Sequence, residues 1–136
     1  MKEFLSVPKI PTMELVHEDP RRRIGEVVLE RYNGSKRRVT RIEVNDPEPG
    51  EQIVLGNHTH ERTEDFAILS GNPTVYTANL ENPNDITEHL FPEGGHISIE
   101  EGKLHAFVFK KQRGVVVSTM TGSTFEESGT KPHKFV

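Results

Sequence analysis

Gly56-Asn57-His58-Thr59-His60-Glu61-Arg62-Thr63-Glu64-Asp65-Phe66-Ala67-Ile68-Leu69-Ser70-Gly71 places two histidines and a carboxylate immediately ahead of an apolar run. His58 and His60 are two apart, so on an extended segment both imidazoles project to the same side and can converge on one ion. A bend at Glu61-Arg62-Thr63 turns the chain, and the strand that follows carries Glu64, Phe66 and Ile68 on a common face. Glu64 is thereby directed into an apolar interior, which is costly unless the carboxylate is paired, protonated or bound to a cation. His105 joins from elsewhere: within Leu104 to Phe109 the odd positions His105, Phe107 and Phe109 share one face, so this imidazole points where the aromatic pair points. His58, His60, Glu64 and His105 together form an N3O donor set suited to one divalent transition metal ion, Fe, Mn, Ni, Co, Cu or Zn. Four protein ligands on a six-coordinate ion leave positions for substrate oxygens, water or dioxygen.

Outward from this stretch, apolar residues come in short alternating runs punctuated by Gly, Pro, Asn and Asp, the pattern of many short strands. The expected strands are Ile24 to Tyr32, Arg38 to Val44, Gln52 to Leu55, Asp65 to Leu69, Thr74 to Leu80, Ile86 to Phe91, His96 to Ile99, Leu104 to Phe109 and Val115 to Thr121. Asn33-Gly34-Ser35 reads as a hairpin turn and Asp46-Pro47-Glu48-Pro49-Gly50 as a stiff loop. Gly71-Asn72-Pro73 reads as a tight turn and Asn82-Pro83-Asn84-Asp85 as another loop. Turns at such short spacing favour an all-β sandwich or barrel. We expect one domain over residues 1–136, with a peripheral N-terminal segment 1–23 and a polar C-terminal segment 121–136. Pro8, Pro11 and Pro20 limit the opening segment to an edge strand at most.

Composition narrows the chemistry. With 17 basic and 21 acidic side chains the formal net charge is -4, which offers no basic footprint for nucleic acid or an anionic membrane. The absence of cysteine excludes disulfides, thiolate metal sites and cysteine nucleophiles, so any metal sits on His, Asp or Glu. No apolar run has the length of a membrane span or a signal peptide, and the expected setting is soluble and cytoplasmic. His89 and His96 read as surface histidines, and His17 and His133 carry no assigned role. Arg21-Arg22-Arg23 and Lys36-Arg37-Arg38 read as solvated charge runs, with recognition of a substrate phosphate as the alternative for each. Phe66, Phe107 and Phe109 read as packing residues that also shape a pocket beside the metal, and Gly71 and Gly102 as turns needing φ > 0.

These residues resemble the cupins. His58-x-His60-x3-Glu64-x6-Gly71 fits the first cupin motif from its histidines to its last glycine, and Gly94-x5-Glu100-x-Gly102-x2-His105 fits most of the second. Glu100 stands where the second motif has proline, Phe109 where it has asparagine, and the leading glycine of the first motif is not at its usual distance from His58. The resemblance spans roughly Gly50 to Phe109. It implies a double-stranded β-helix, that is a jelly-roll barrel, with a metal inside bound by His58, His60, Glu64 and His105, and it implies a homodimer. A narrower resemblance links Gly56 to Glu64 with cupins that modify nucleotide-linked sugars, the ketoisomerases, epimerases and their capsule-synthesis relatives. Their D-x-R-G signature is matched here by Asp19-Pro20-Arg21, with the glycine displaced to Gly25.

The expected function is a metal-dependent enzyme acting on a small oxygen-rich metabolite. It would be an isomerase or epimerase on a carbohydrate or keto substrate, or a dioxygenase, with the metal as Lewis acid. Two alternatives stand beside it. One is a metal-free sugar-nucleotide ketoisomerase or epimerase using His58 and His60 as acid and base, and the other a non-catalytic module that binds a small molecule or a metal. Glu64 and His105 speak against the metal-free alternative, which has no evident need for an inward carboxylate among three imidazoles.

Overall fold

Wherever apolar and polar side chains alternate, the chain forms strands. Residues 13–91, 94–121 and 129–136 are described by the computed structural model. The expected strands are β2 (Arg22–Glu30), β3 (Lys36–Val44), β4 (Ile53–Thr59), β5 (Glu64–Ser70), β6 (Thr74–Asn79), β7 (Asn82–Leu90), β8 (Gly95–Ile99), β9 (Lys103–Phe109) and β10 (Gly114–Thr121). Two more are β1 (Glu14–Glu18) and β11 (Lys131–Pro132). Pro8, Pro11 and the stretch 122–128 lie outside the described residues.

One sheet has the order β1-β2-β3-β10-β5-β8 and the other β11-β4-β9-β6-β7. The antiparallel pairs are nested: β3 with β10, β4 with β9, β5 with β8 and β6 with β7. A single long hairpin, rolled so that successive pairs fall alternately on the two sheets, produces this order, and it is the jelly-roll expected from the sequence. The inner strands of both sheets turn one face inward, so a chain with only 32% hydrophobic residues still fills its interior. Val44, Ile53, Leu55, Phe66, Ile68, Val75, Ile99, Phe107, Phe109 and Val116 form that core.

The turns follow their residues, with one exception. Gly34 has φ +82°, and Glu30 pairs with Lys36 across the Asn33-Gly34-Ser35 turn. Gly71 has φ +100° and also lies against Gly114, whose Cα a Cβ at Gly71 would approach to 2.6 Å. Asn82-Pro83-Asn84-Asp85, expected as a loop, instead opens β7, with the turn at Leu80-Glu81 between the paired residues Asn79 and Asn82. The physical reason is position: β7 is the edge of its sheet, where the missing N–H of Pro83 breaks no ladder. No described helix is long and apolar enough to cross a membrane.

Candidate metal centre

A local irregularity in β4 sets the site. Leu55 pairs with Phe107 and Gly56 with Ala106, but the next pair is His58 with His105, so Asn57 is the extra residue of a β-bulge. Gly56 has φ +94° and Asn57 φ +57°. Strict period two would place His58 and His60 on the face opposite to Leu55. The inserted residue shifts the parity and turns both histidines to the side of Leu55, Phe107 and His105. Asn57 is held from outside: the backbone N–H groups of Phe135 and Val136 donate to its Oδ1, and that of His133 to its carbonyl.

The bend at Glu61-Arg62 then carries the chain to the other sheet, where β5 opens with Glu64. The rings of His58 and His60 are 4.4 Å apart and those of His58 and His105 4.5 Å, both edge to face. One ring nitrogen from each of His58, His60 and His105 lies within 4.8 Å of the others. Glu64 Oε1 is 3.1 Å from His60 Nε2 and 4.0 Å from His105 Nε2. Thus the structure brings the four residues singled out by the motif to one place, with Glu64 and His60 only 7% and 6% exposed. The outer nitrogens are engaged. His60 Nδ1 is 2.9 Å from Thr130 Oγ1, and His105 Nδ1–H donates weakly to the Lys103 carbonyl at 3.4 Å. Such bonds fix ring orientation and leave each Nε2 toward the centre.

Whether this donor set fits a divalent transition ion turns on His105 Nε2. It is fully buried in a residue 1% exposed, and among the described residues it has no hydrogen-bond partner. An orphaned nitrogen of this kind costs about 1–3 kcal/mol. Three imidazoles brought together, with the Glu64 carboxylate beside His60, supply donors that such an ion takes, and the ion would be the missing partner.

Burial holds two of the imidazoles, His58 and His105, neutral. His58 is pushed down to about 3, first by desolvation and then by the neighbouring His105, His60 and Arg22 charges. His105 is pushed down to about 4 by desolvation and His60, partly opposed by Glu64 and its bond to Lys103. Because both native values lie below the unfolded value, the unfolded chain binds more protons as pH falls below that value, and stability falls with it. In chelator, unfolding by urea should show a loss on the order of 2 kcal/mol per histidine between pH 7 and pH 5. An unchanged midpoint across that interval would mean that the imidazoles titrate freely.

The four residues line a cavity of about 710 Å³, bounded by Phe66 and Phe107 and, on the side of β2, β3 and β10, by Arg22, Ile24, Glu26, Arg38, Thr40 and Ser118. Phe109 is fully buried but does not line it. Asn57 and Thr130 were not anticipated as site residues, and Arg22 belongs to the run read first as solvated, with phosphate recognition as its alternative. A Gly-Asn pair inside a strand is a bulge signal, and Arg22 shares the face of Ile24 by period two once β2 is begun at its true start. Nothing in the sequence pointed to Thr130. The terminal segments, expected to be peripheral, therefore both contribute: Arg22 borders the cavity and Thr130 orients His60.

No family model and no curated protein matches this sequence. Solved structures do. The capsular polysaccharide assembling protein CapF from Staphylococcus aureus superposes with a TM-score of 0.70 at 16% identity, over 96% of this chain and 34% of that one. An oxalate decarboxylase variant from B. subtilis gives 0.68 at 11% identity, over 92% and 33%. Hydroxypropylphosphonic acid epoxidase from S. wedmorenis gives 0.61 at 17% identity, over 84% and 58%. The chain thus spans about a third of the first two proteins and little more than half of the third.

Proposed function

We propose that this chain, which has the cupin fold, is a metal-dependent enzyme acting on a small oxygen-rich metabolite. The observation that carries the reading is the buried, partnerless Nε2 of His105, facing His58, His60 and Glu64 across one cavity. His58, His60, Glu64 and His105 would hold one divalent transition ion. When bound, that ion supplies Lewis-acid polarisation of a substrate oxygen, which serves isomerisation or epimerisation of a carbohydrate or keto substrate and dioxygenase chemistry alike. The chain's own residues do the rest. Thr130 and the Lys103 carbonyl fix two rings, burial keeps His58 and His105 unprotonated and ready to ligate, and Phe66 and Phe107 exclude water from the inner wall. Among the similar structures, one is named for epoxidation, one for oxalate decarboxylation and one for capsular polysaccharide assembly. The first two support an enzyme and the third its carbohydrate arm. A homodimer and a cytoplasmic setting belong to the same reading.

The contact between His60 and Glu64 favours one second reading, a metal-free isomerase or epimerase in which the carboxylate orients His60 as the proton carrier. His58, held near 3, is too weak a base at neutral pH to share that role, which is why the metal reading stands first.

Elemental analysis of untagged protein purified without chelator is expected to find about one transition metal per chain. No metal, even after incubation with Mn, Fe, Ni and Zn, overturns the proposal. On the loaded protein, proton exchange of keto-sugars in heavy water and oxygen consumption separate isomerase from dioxygenase. Turnover that survives chelation selects the metal-free enzyme, and no turnover across a broad panel selects a binding module.

A further inference from the structure

The cavity has a second charged wall that the metal reading leaves unused. Along β2 side chains alternate, so Arg22, Ile24 and Glu26 border the cavity while Arg23 points away and pairs with Glu18 at 2.9 Å. Arg21, Arg22 and Arg38 all line the cavity, and the two that sit on its strands, Arg22 and Arg38, differ in their surroundings. Arg38 Nε lies 3.7 Å from Glu26 and its Nη2 reaches Met120 Sδ at 3.5 Å, so its charge is met inside the wall. Arg22 is 22% exposed at its side chain, and its Nε is buried without a hydrogen-bond partner. The nearest carboxylate, Asp19, is 4.0 Å from that nitrogen and already serves His17 at 2.6 Å, the Arg21 guanidinium at 3.4 Å and the backbone N–H groups of Arg21 and Arg22. At this end of the cavity two guanidinium groups, Arg21 and Arg22, therefore share one carboxylate.

We infer that Arg22 is the anion-recognition residue of this cavity and that the substrate carries an oxyanion group, a carboxylate, phosphate or phosphonate. The planar Arg22 guanidinium offers paired N–H groups, the fork that binds two oxygens of such a group in parallel. Partial burial strengthens the bond, and the shared Asp19 leaves positive charge in excess. The inference rests on the metal reading only for its second anchor: one end of the substrate on Arg22, the other toward His58, His60 and His105. It narrows the oxygen-rich metabolite to an acid or a phosphorylated or phosphonylated compound.

The test is calorimetric titration of the full chain, as purified and again after chelator dialysis. Inorganic phosphate and acetate serve as probes against chloride at equal ionic strength, with metal content measured on the same samples. In wild type at least one probe is expected to bind in both states. Arg22→Gln should weaken that binding about 10- to 100-fold, the loss of charge-assisted hydrogen bonds, with metal content unchanged. Arg22→Lys, which keeps the charge and loses the fork, should fall between. The outward Arg23→Gln should match wild type. Phosphate preference assigns a phosphorylated or phosphonylated substrate and acetate preference a carboxylic acid. No binding of either probe, or equal binding in Arg22→Gln or Arg22→Lys and wild type, overturns the inference. Arg22-dependent binding by a protein that takes up no metal sustains it while overturning the metal reading, and metal uptake without such binding does the reverse. If Arg22→Gln fails to fold, Arg22→Lys decides.

Discussion

His105→Leu is expected to abolish metal retention and, with both proteins stripped of metal, to raise stability by about 1 kcal/mol. Leucine is near in volume to histidine and apolar, so the surrounding Phe66 and Phe107 keep their packing while the buried Nε2 that nothing satisfies is removed. Among the described residues, the hydrogen bond given up by the ring is the long one from Nδ1 to the Lys103 carbonyl. The variant also loses the acid sensitivity contributed by a histidine held near 4. Elemental analysis and urea unfolding in chelator check both halves. A variant that keeps wild-type metal content would remove His105 from the ligand set. One that unfolds several kcal/mol more easily would mean that the nitrogen has a partner in the folded protein. An active site that costs stability when empty is the usual sign of a residue retained for function.

Deleting Asn57 is expected to eliminate metal binding altogether while leaving β4 paired with β9. Without the extra residue the alternation of β4 runs unbroken from Leu55, and both imidazoles of the H-x-H pair face outward. Gly56→Ala probes the same device more gently. Its Cβ would stand 2.7 Å from the carbonyl oxygen of His105 in a backbone conformation of φ +94°. The strain is about 1–3 kcal/mol. Relief of the clash displaces the strand that carries His105, so metal affinity should fall about 10- to 100-fold, as for other groups that position ligands. Circular dichroism confirms the sheets, and metal titration reads the site. A folded deletion variant with wild-type affinity would refute the parity argument.

These two variants also mark where the sequence stops being readable. His58, His60, Glu64 and His105 were legible because ligand type and spacing carry the chemistry, and because Glu64 and His105 each sit in a strand whose apolar partners reveal its inward face. Most strands were legible from alternation alone. The bulge was not, since whether Asn57 is inserted or paired depends on the register of β4 against a strand about fifty residues further on. Thr130 lies in a polar, glycine-bearing segment whose path is set by docking onto β4 rather than by its own pattern. Asn82 to Asp85 misled because turn-forming residues were weighed without knowing that they occupy a sheet edge.

The nested pairing has a kinetic consequence. Pairing β3 with β10, β11 with β4 and β4 with β9 closes long loops, so the contact order is high and the entropy of loop closure precedes most of the stabilising contacts. Folding of such a topology takes milliseconds to seconds. His58, His60 and Glu64 belong to neighbouring strands and assemble early, but His105 arrives only when β9 docks. Under the proposed function, an ion captured by the nascent protein would therefore be held first by an incomplete set of donors, open to exchange. The last strands to settle determine which ion is kept.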